Sequence, residues 1–203
     1  MSVFVKICGI ANGEDALSVS RLGADALGFI FWRPSARYVE PDLVGSWKID
    51  SRVRKVGVFV DAEPDEVARV VSDSGIDVVQ LHGDENPDDY RSLNLEIWKA
   101  VHLDKYPGRD WSAVDADAHL LDSYTAAMPG GTGRALDWGR AAEYVANAAR
   151  PTILAGGLTP DNIATALATV QPWGVDVSSG VEQDKRSKDL QRVEEFIALC
   201  RKI

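Results

Sequence analysis

Cysteine is scarce in this chain: 203 residues contain two, Cys8 and Cys200. Two thiols this far apart offer neither metal-ligand spacing nor a disulfide framework. Free thiols accord with a reducing, cytoplasmic setting. Long apolar runs are also missing. No stretch approaches the ~20 residues of a membrane helix, and Met1-Ser2-Val3-Phe4-Val5-Lys6 lacks the apolar segment of a secretory signal. A membrane partner is therefore not expected. Positive charge is in deficit, with 22 Lys and Arg against 31 Asp and Glu and a net charge of −9. No basic cluster offsets it, which argues against a nucleic-acid partner. An anion can still be held locally, by backbone amides and one or two Arg. No interior linker divides the chain, so one domain over residues 1–203 is expected.

What is present suits a large core: 45% of residues are hydrophobic and 26% charged, a balance that excludes disorder. The organising stretch is residues 152–182. Thr152-Ile153-Leu154-Ala155 reads as a strand ending on Gly156-Gly157. Thr159 is placed to cap a helix with Pro160 at its first position, and Ile163, Leu167 and Val170 share one face. Trp173-Gly174-Val175-Asp176-Val177 reads as the next strand and ends on Ser178-Ser179-Gly180. Glycine permits close backbone approach to an anion, and a helix N-terminus adds its dipole. Two neighbouring loops of this kind suit a phosphate cradle; the alternative is a pair of tight turns.

Upstream, Val3-Phe4-Val5-Lys6-Ile7-Cys8, residues 26–31, 54–60, 78–83, 97–101 and 118–122 read as strands. Helices are expected over 12–23, 42–49, a segment carrying Val67, Val70 and Val71, a short one after Asn86-Pro87, and 138–149. Residues 102–117 are polar and weakly patterned. The last helix spans 189–201, with Val193, Phe196, Ile197 and Cys200 on its buried side. Eight strands alternating with about eight helical segments, in units of roughly 25 residues, predict a single-domain (β/α)8 barrel of the α/β class. A doubly wound open sheet is the alternative.

In such barrels chemistry gathers at the C-terminal ends of the strands. Those positions hold Cys8, His82, Asp122, Asp176 and Ser178-Ser179, with Arg37 in the loop after the second strand. One Cys, one His and two Asp on separate strands fit no common metal set. A thiol and a carboxyl across a pocket suit general base and general acid, and nearby cations lower a thiol from its usual ~8.5. The bland alternatives are a small buried hydrophobe for Cys8, a hydrogen-bonding wall residue for His82, and structural carboxylates for Asp122 and Asp176. Lys6 alternates with Cys8, faces the same way, and is a candidate buried ion-pair partner. Cys200 is assigned to packing.

At these residues the chain resembles the phosphoribosylanthranilate isomerase family of tryptophan biosynthesis. The resemblance runs through Lys6-Ile7-Cys8-Gly9, Ser35-Ala36-Arg37-Tyr38-Val39, Gln80-Leu81-His82-Gly83, Leu121-Asp122, Gly130-Gly131-Thr132-Gly133, Leu154-Ala155-Gly156-Gly157-Leu158 and Asp176-Val177-Ser178-Ser179-Gly180-Val181-Glu182. It implies an Amadori rearrangement with Asp122 as acid and Cys8 as base. Arg37 would hold the anthranilate carboxylate; His82, Gly131 and Asp176 would contact substrate, and the 130–133 loop would fold over it. Gly156, Gly157, Ser179 and Gly180 would bind phosphate. The implied partner is a small phosphoribosyl molecule, the implied cofactor and metal are none, and the chain is expected as monomer or homodimer. The pattern departs at Gln183-Asp184-Lys185-Arg186-Ser187-Lys188, where the family often has a Pro-Gly turn. Two rivals are a histidine-pathway phosphosugar isomerase, which implies an Asp where Cys8 stands, and a non-catalytic phosphate-ligand barrel.

Overall fold

The computed structural model describes residues 2–106, 108–125, 128–129 and 136–202. Eight parallel strands close into a barrel: β1 (Phe4–Cys8), β2 (Ala26–Ile30), β3 (Arg54–Phe59), β4 (Val78–Leu81), β5 (Glu96–Val101), β6 (Ala118–Leu121), β7 (Thr152–Leu154) and β8 (Gly174–Val177). Their order round the ring is β1-β8-β7-β6-β5-β4-β3-β2. Lys6 pairs with Asp176 across β1 and β8, and Cys8 with Gly28 across β1 and β2. The (β/α)8 expectation is the observed fold.

Strand alternation divides the core in two. Ala26, Val56, Val78, Trp98, Ala118, Leu120, Ile153 and Ala155 fill the barrel interior, with Phe4 packed against them. Val5, Ile7, Leu27, Phe29, Val79, Ile97, Leu121, Leu154 and Val175 belong to the larger core that includes helix residues such as Ala16, Val67, Ile163 and Phe196. Adjacent residues on β1 thus serve opposite faces. Val5 and Ile7 pack outward, which leaves Lys6 and Cys8 to the interior.

The helices begin where their caps dictate. α1 (Gly13–Arg21) starts after Asn12, whose side chain accepts the Asp15 N–H; Glu14 and Asp15 lie in its first turn and Arg21 in its last, matching the helix dipole. α2 (Pro41–Ser46) and α3 (Pro64–Ser74) open on proline. α4 (Trp138–Asn147) is capped by Asp137 and α6 (Leu190–Cys200) by Asp189. α5 (Ile163–Val170) begins three residues beyond the predicted Pro160. Asn162 accepts from the Thr159 N–H and donates to the Gly157 carbonyl, which holds 160–162 as a turn.

Two predicted helices are reduced. The Pro87 segment is a 3₁₀ helix, Pro87–Leu93, that ends on Asn94 with φ 53°. Among the described residues of the weakly patterned 102–117 stretch, the only helical piece is a 3₁₀ turn, Trp111–Ala113, because no apolar stripe there can pay for a longer helix. The predicted 42–49 helix stops at Ser46, since Trp47 is extended at ψ 141°. The polar stretch after Glu182 folds into a hairpin, Glu182–Asp184 with Ser187–Lys188.

Candidate active site

The site is built on the arc β1-β8-β7-β6. Cys8 is the last residue of β1 and is buried. It points inward beside Lys6, whose Nζ lies 2.9 Å from Asp176 Oδ1 on β8. The neighbouring strand β2 makes room for both groups: a Cβ on Gly28 would sit 2.7 Å from the Cys8 sulfur and 3.0 Å from Lys6 Nζ. Burial works against the Lys6 ammonium, but Asp176 and Cys8 outweigh it and its pKa is raised. Burial pushes the Cys8 thiol up, and Lys6 pulls it only part of the way back. Full burial on a barrel wall outweighs one ammonium that Asp176 already engages.

Asp122 follows β6 and faces the same mouth. Its Oδ1 accepts the Ser123 N–H at 2.7 Å, and its Oδ2 lies 3.3 Å from His82 Nε2. His82 Nδ1 is 3.1 Å from Gln80 Nε2. With the Gln80 amide nitrogen toward Nδ1, the ring proton is assigned to Nε2. His82 lies beside Asp122 at the mouth. Asp176 stands between the two halves of the site, coupled electrostatically to Lys6, Asp122 and His82 and, in turn, to Cys8. Cys8 and Asp122 so occupy the two ends of one arc.

The glycine loops meet beside Asp122. Asp122, Ala155, Gly156, Gly157, Leu158, Asp176, Val177, Ser178 and Ser179 enclose a cavity of about 40 Å³. That is room for about three water centres, the scale of a phosphoryl group's free oxygens. Gly156 and Gly157 have φ of 84° and 69°, which side chains rarely tolerate. A Cβ on Gly156 would lie 2.9 Å from the Ser123 nitrogen and 3.1 Å from Asp122 Oδ1, so the Gly156 loop and the Asp122 carboxyl are in contact. Gly180 is not among the residues lining this cavity, and a Cβ there would sit 1.9 Å from the Leu158 carbonyl oxygen. Its smallness lets the two loops pack. Gly131 and the rest of the 130–133 loop lie outside the described residues.

Arg37 does not reach the mouth unaccompanied. Its Nε and Nη2 donate to Glu182 Oε1 and Oε2 at 2.7 and 2.8 Å, a bidentate fork. Lys188 Nζ, fully buried, donates to Glu182 Oε1 at 2.9 Å and to the Ser178 carbonyl at 3.2 Å. Burial opposes the Glu182 carboxylate, yet Arg37 and Lys188 hold its pKa below the usual value. Glu182 and Lys188 were missed as site residues. Glu182 closes a recognised motif, but nothing local assigns its partner, and Lys188 is one of many polar residues in its loop. Gly28 was missed as well, since strand glycines carry no sign of what they face. Gln80 was legible in principle, two positions before His82 on the same face.

Among the described residues no three His, Cys, Asp or Glu side chains gather as a metal ion requires. A larger cleft of about 430 Å³ lies between α4 and the Trp111 turn. Its His119 has both ring nitrogens engaged, by the Val114 carbonyl and the Tyr144 hydroxyl. It offers no acid–base pair and no glycine loops, so size alone does not recommend it.

Comparison with known proteins agrees with this geometry. Residues 5–198 match the family model of N-(5'phosphoribosyl)anthranilate (PRA) isomerase. An N-(5'-phosphoribosyl)anthranilate isomerase from Geobacter sp. (strain M21) is 43% identical, over 98% of each chain. The crystal structure of phosphoribosyl anthranilate isomerase from Thermotoga maritima superposes with a TM-score of 0.87 at 35% identity, covering 99% of this chain and 100% of that one. A phosphoribosyl anthranilate isomerase in complex with reduced 1-(o-carboxyphenylamino)-1-deoxyribulose 5-phosphate superposes at 0.84 with 34% identity and the same coverage. By its matched length and its relatives, this chain belongs to the N-(5'-phosphoribosyl)anthranilate isomerase family.

Proposed function

We propose that Cys8 and Asp122 carry the family's reaction in this chain. The reaction is the Amadori rearrangement of N-(5'-phosphoribosyl)anthranilate to 1-(2-carboxyphenylamino)-1-deoxyribulose 5-phosphate, in tryptophan biosynthesis. The observation that carries the assignment is the shared arc: a buried thiol at one end, a carboxyl at the other, and a glycine-lined cavity beside the carboxyl.

Asp122 gives its proton to the furanose ring oxygen. The C1–O bond breaks as the anilino nitrogen lone pair forms the C=N bond of an iminium. His82 Nε2, 3.3 Å from Asp122 Oδ2, faces the carboxylate that is left behind. Cys8, as thiolate, removes the C2 proton, and the C–H electrons flow into the iminium to give an enolamine. The C2 hydroxyl proton then passes to the Asp122 carboxylate, the Cys8 thiol returns a proton to C1, and the ketone forms with both groups restored. The iminium is the electron sink, so the scheme needs only proton transfers. Lys6 matters at the second step, because thiolate formation beside an ammonium costs less than in an apolar wall. Gly156, Gly157 and Ser179 would hold the phosphate, with Gly180 keeping their loops in contact. Arg37 would hold the ring carboxylate and Asp176 would orient Lys6. The two buried thiols accord with a cytoplasmic enzyme.

The test is direct. Anthranilate-type fluorescence of phosphoribosylanthranilate should fall as purified protein consumes it. Cys8→Ser and Asp122→Asn should each lower kcat by about 10² or more, the scale of losing a general base or acid. Tight ligand binding without fluorescence decay would reject catalysis. Near wild-type rates in both variants would reject these two roles.

A further inference from the structure

Two cations share one carboxylate beside the thiol. Arg37 and Lys188 both bind Glu182, whose Oε1 also lies 3.3 Å from the Ser178 hydroxyl. The three side chains are buried or nearly so, at 11%, 1% and 7% exposure for Arg37, Lys188 and Glu182. Both cations act electrostatically on Cys8 or feel it. Taken as charged, the trio carries a surplus of one positive charge, and a buried surplus of that kind calls for an anion.

The Arg37 fork is filled on one side only. Glu182 takes Nε and Nη2, and Nη1 makes no hydrogen bond among the described residues. A guanidinium gripped along one edge cannot swing, so its outer corner is presented in a fixed direction. The hairpin that carries Lys188 is itself fastened to the Arg37 loop. Arg186 donates to the carbonyls of Ala36, Tyr38 and Ala11, and Asn12 donates to the Arg186 carbonyl. The Lys188 N–H is held by Asp15 on α1.

We propose that Glu182 and Lys188 are positioning residues: they lock the Arg37 guanidinium edge-on, so that Nη1 meets the substrate's ring carboxylate and the trio's spare positive charge is neutralised by it. This rests on the reading of Arg37 as the carboxylate holder. Lys188 adds a second cation at the Glu182 Oε1 that Arg37 Nε already bonds, which stops Glu182 from repelling the incoming anion. Neither residue touches the reacting atoms.

The experiment compares two probes, reduced 1-(2-carboxyphenylamino)-1-deoxyribulose 5-phosphate and its phenylamino counterpart without the ring carboxylate. Calorimetric Kd values are taken for wild type, Glu182→Gln and Arg37→Met. Glu182→Gln should weaken the carboxylated probe about tenfold, the size of one misplaced charge-assisted hydrogen bond. It should shift the other probe by less than about twofold, and raise KM with little change in kcat, as loss of uniform binding does. Tighter binding of the carboxylated probe would overturn the proposal, because Glu182 would then be a competitor for Arg37. Equal weakening of both probes would overturn it too, as general distortion. If Arg37→Met weakens both probes equally, or neither, the reading of Arg37 itself is wrong. Should Glu182→Gln fold poorly with two uncompensated cations, Glu182→Gln/Lys188→Met removes one of them, and the same discrimination between probes is expected.

Discussion

Gly28 shows how much a single missing methyl group does at the residue scale. Its strand neighbour is Cys8, and no hydrogen-bonding or catalytic group is involved. Yet an added Cβ would press on the Cys8 sulfur, on the Cys8 Cα at 3.0 Å and on Lys6 Nζ. Backbone on one side means the contact cannot be relieved by a rotamer change. Gly28→Ala should therefore cost about 1–3 kcal/mol of stability and most of the activity, measured by denaturant midpoint and by the fluorescence assay. An active, stable Gly28→Ala would mean that the thiol is free to move aside. Lys6 yields a second prediction. It opposes the rise that burial imposes on the Cys8 thiol. Removing it in Lys6→Met/Asp176→Asn, which leaves no lone buried charge, should move the acid limb of the kcat/KM profile to higher pH. An unmoved limb would show that Cys8 is not the base being titrated.

At the scale of elements, the two glycine loops behave as one unit. Gly180, in the 3₁₀ turn Ser179–Val181 after β8, lies against the Leu158 carbonyl after β7, and Arg192 of α6 donates to the Gly180 carbonyl at 3.0 Å. The α6 helix thus backs the loop whose neighbours line the cavity. Gly180→Ala should separate the loops and weaken inorganic phosphate competition by about tenfold or more, with a stability loss of about 1–3 kcal/mol. Unchanged phosphate inhibition would show that the loops bind independently. The hairpin after Glu182 belongs to the same scale. Its sequence gave only a polar, turn-rich stretch, because what orders it is Arg186 and Lys188 reaching carbonyls and carboxylates on α1 and the Arg37 loop.

For the whole molecule, buried carboxylates set the response to acid. Burial opposes the Glu182 carboxylate, but Arg37 and Lys188 more than offset this, so its folded pKa lies below the ordinary 4.5. A depressed carboxylate contributes stability above its unfolded pKa and loses it as pH falls through the folded value. The stability gap between wild type and Glu182→Gln should therefore be full at neutral pH and shrink below about pH 4.5. Denaturant midpoints taken across pH 3–7 would check this; a constant gap would show that Glu182 is not held as an anion. The strand and helix alternation, the barrel and the polar residues at strand ends were all readable from local pattern, since each depends on residues a few positions apart. The helix start after Thr159 was misjudged, because Asn162 bonds back to Thr159 and Gly157 and holds 160–162 as a turn.

The order of strands and the placement of Cys8, His82, Asp122 and the glycine loops at one mouth follow from the sequence alone, because period-2 burial and chain order decide them. Only the folded structure decided what each side chain meets there. Lys6 finds Asp176 170 positions away, Arg37 finds Glu182 145 positions away, and the Cys8 thiol is raised by its burial more than Lys6 lowers it. Those outcomes depend on distances and desolvation between groups remote in the chain, which no local pattern encodes.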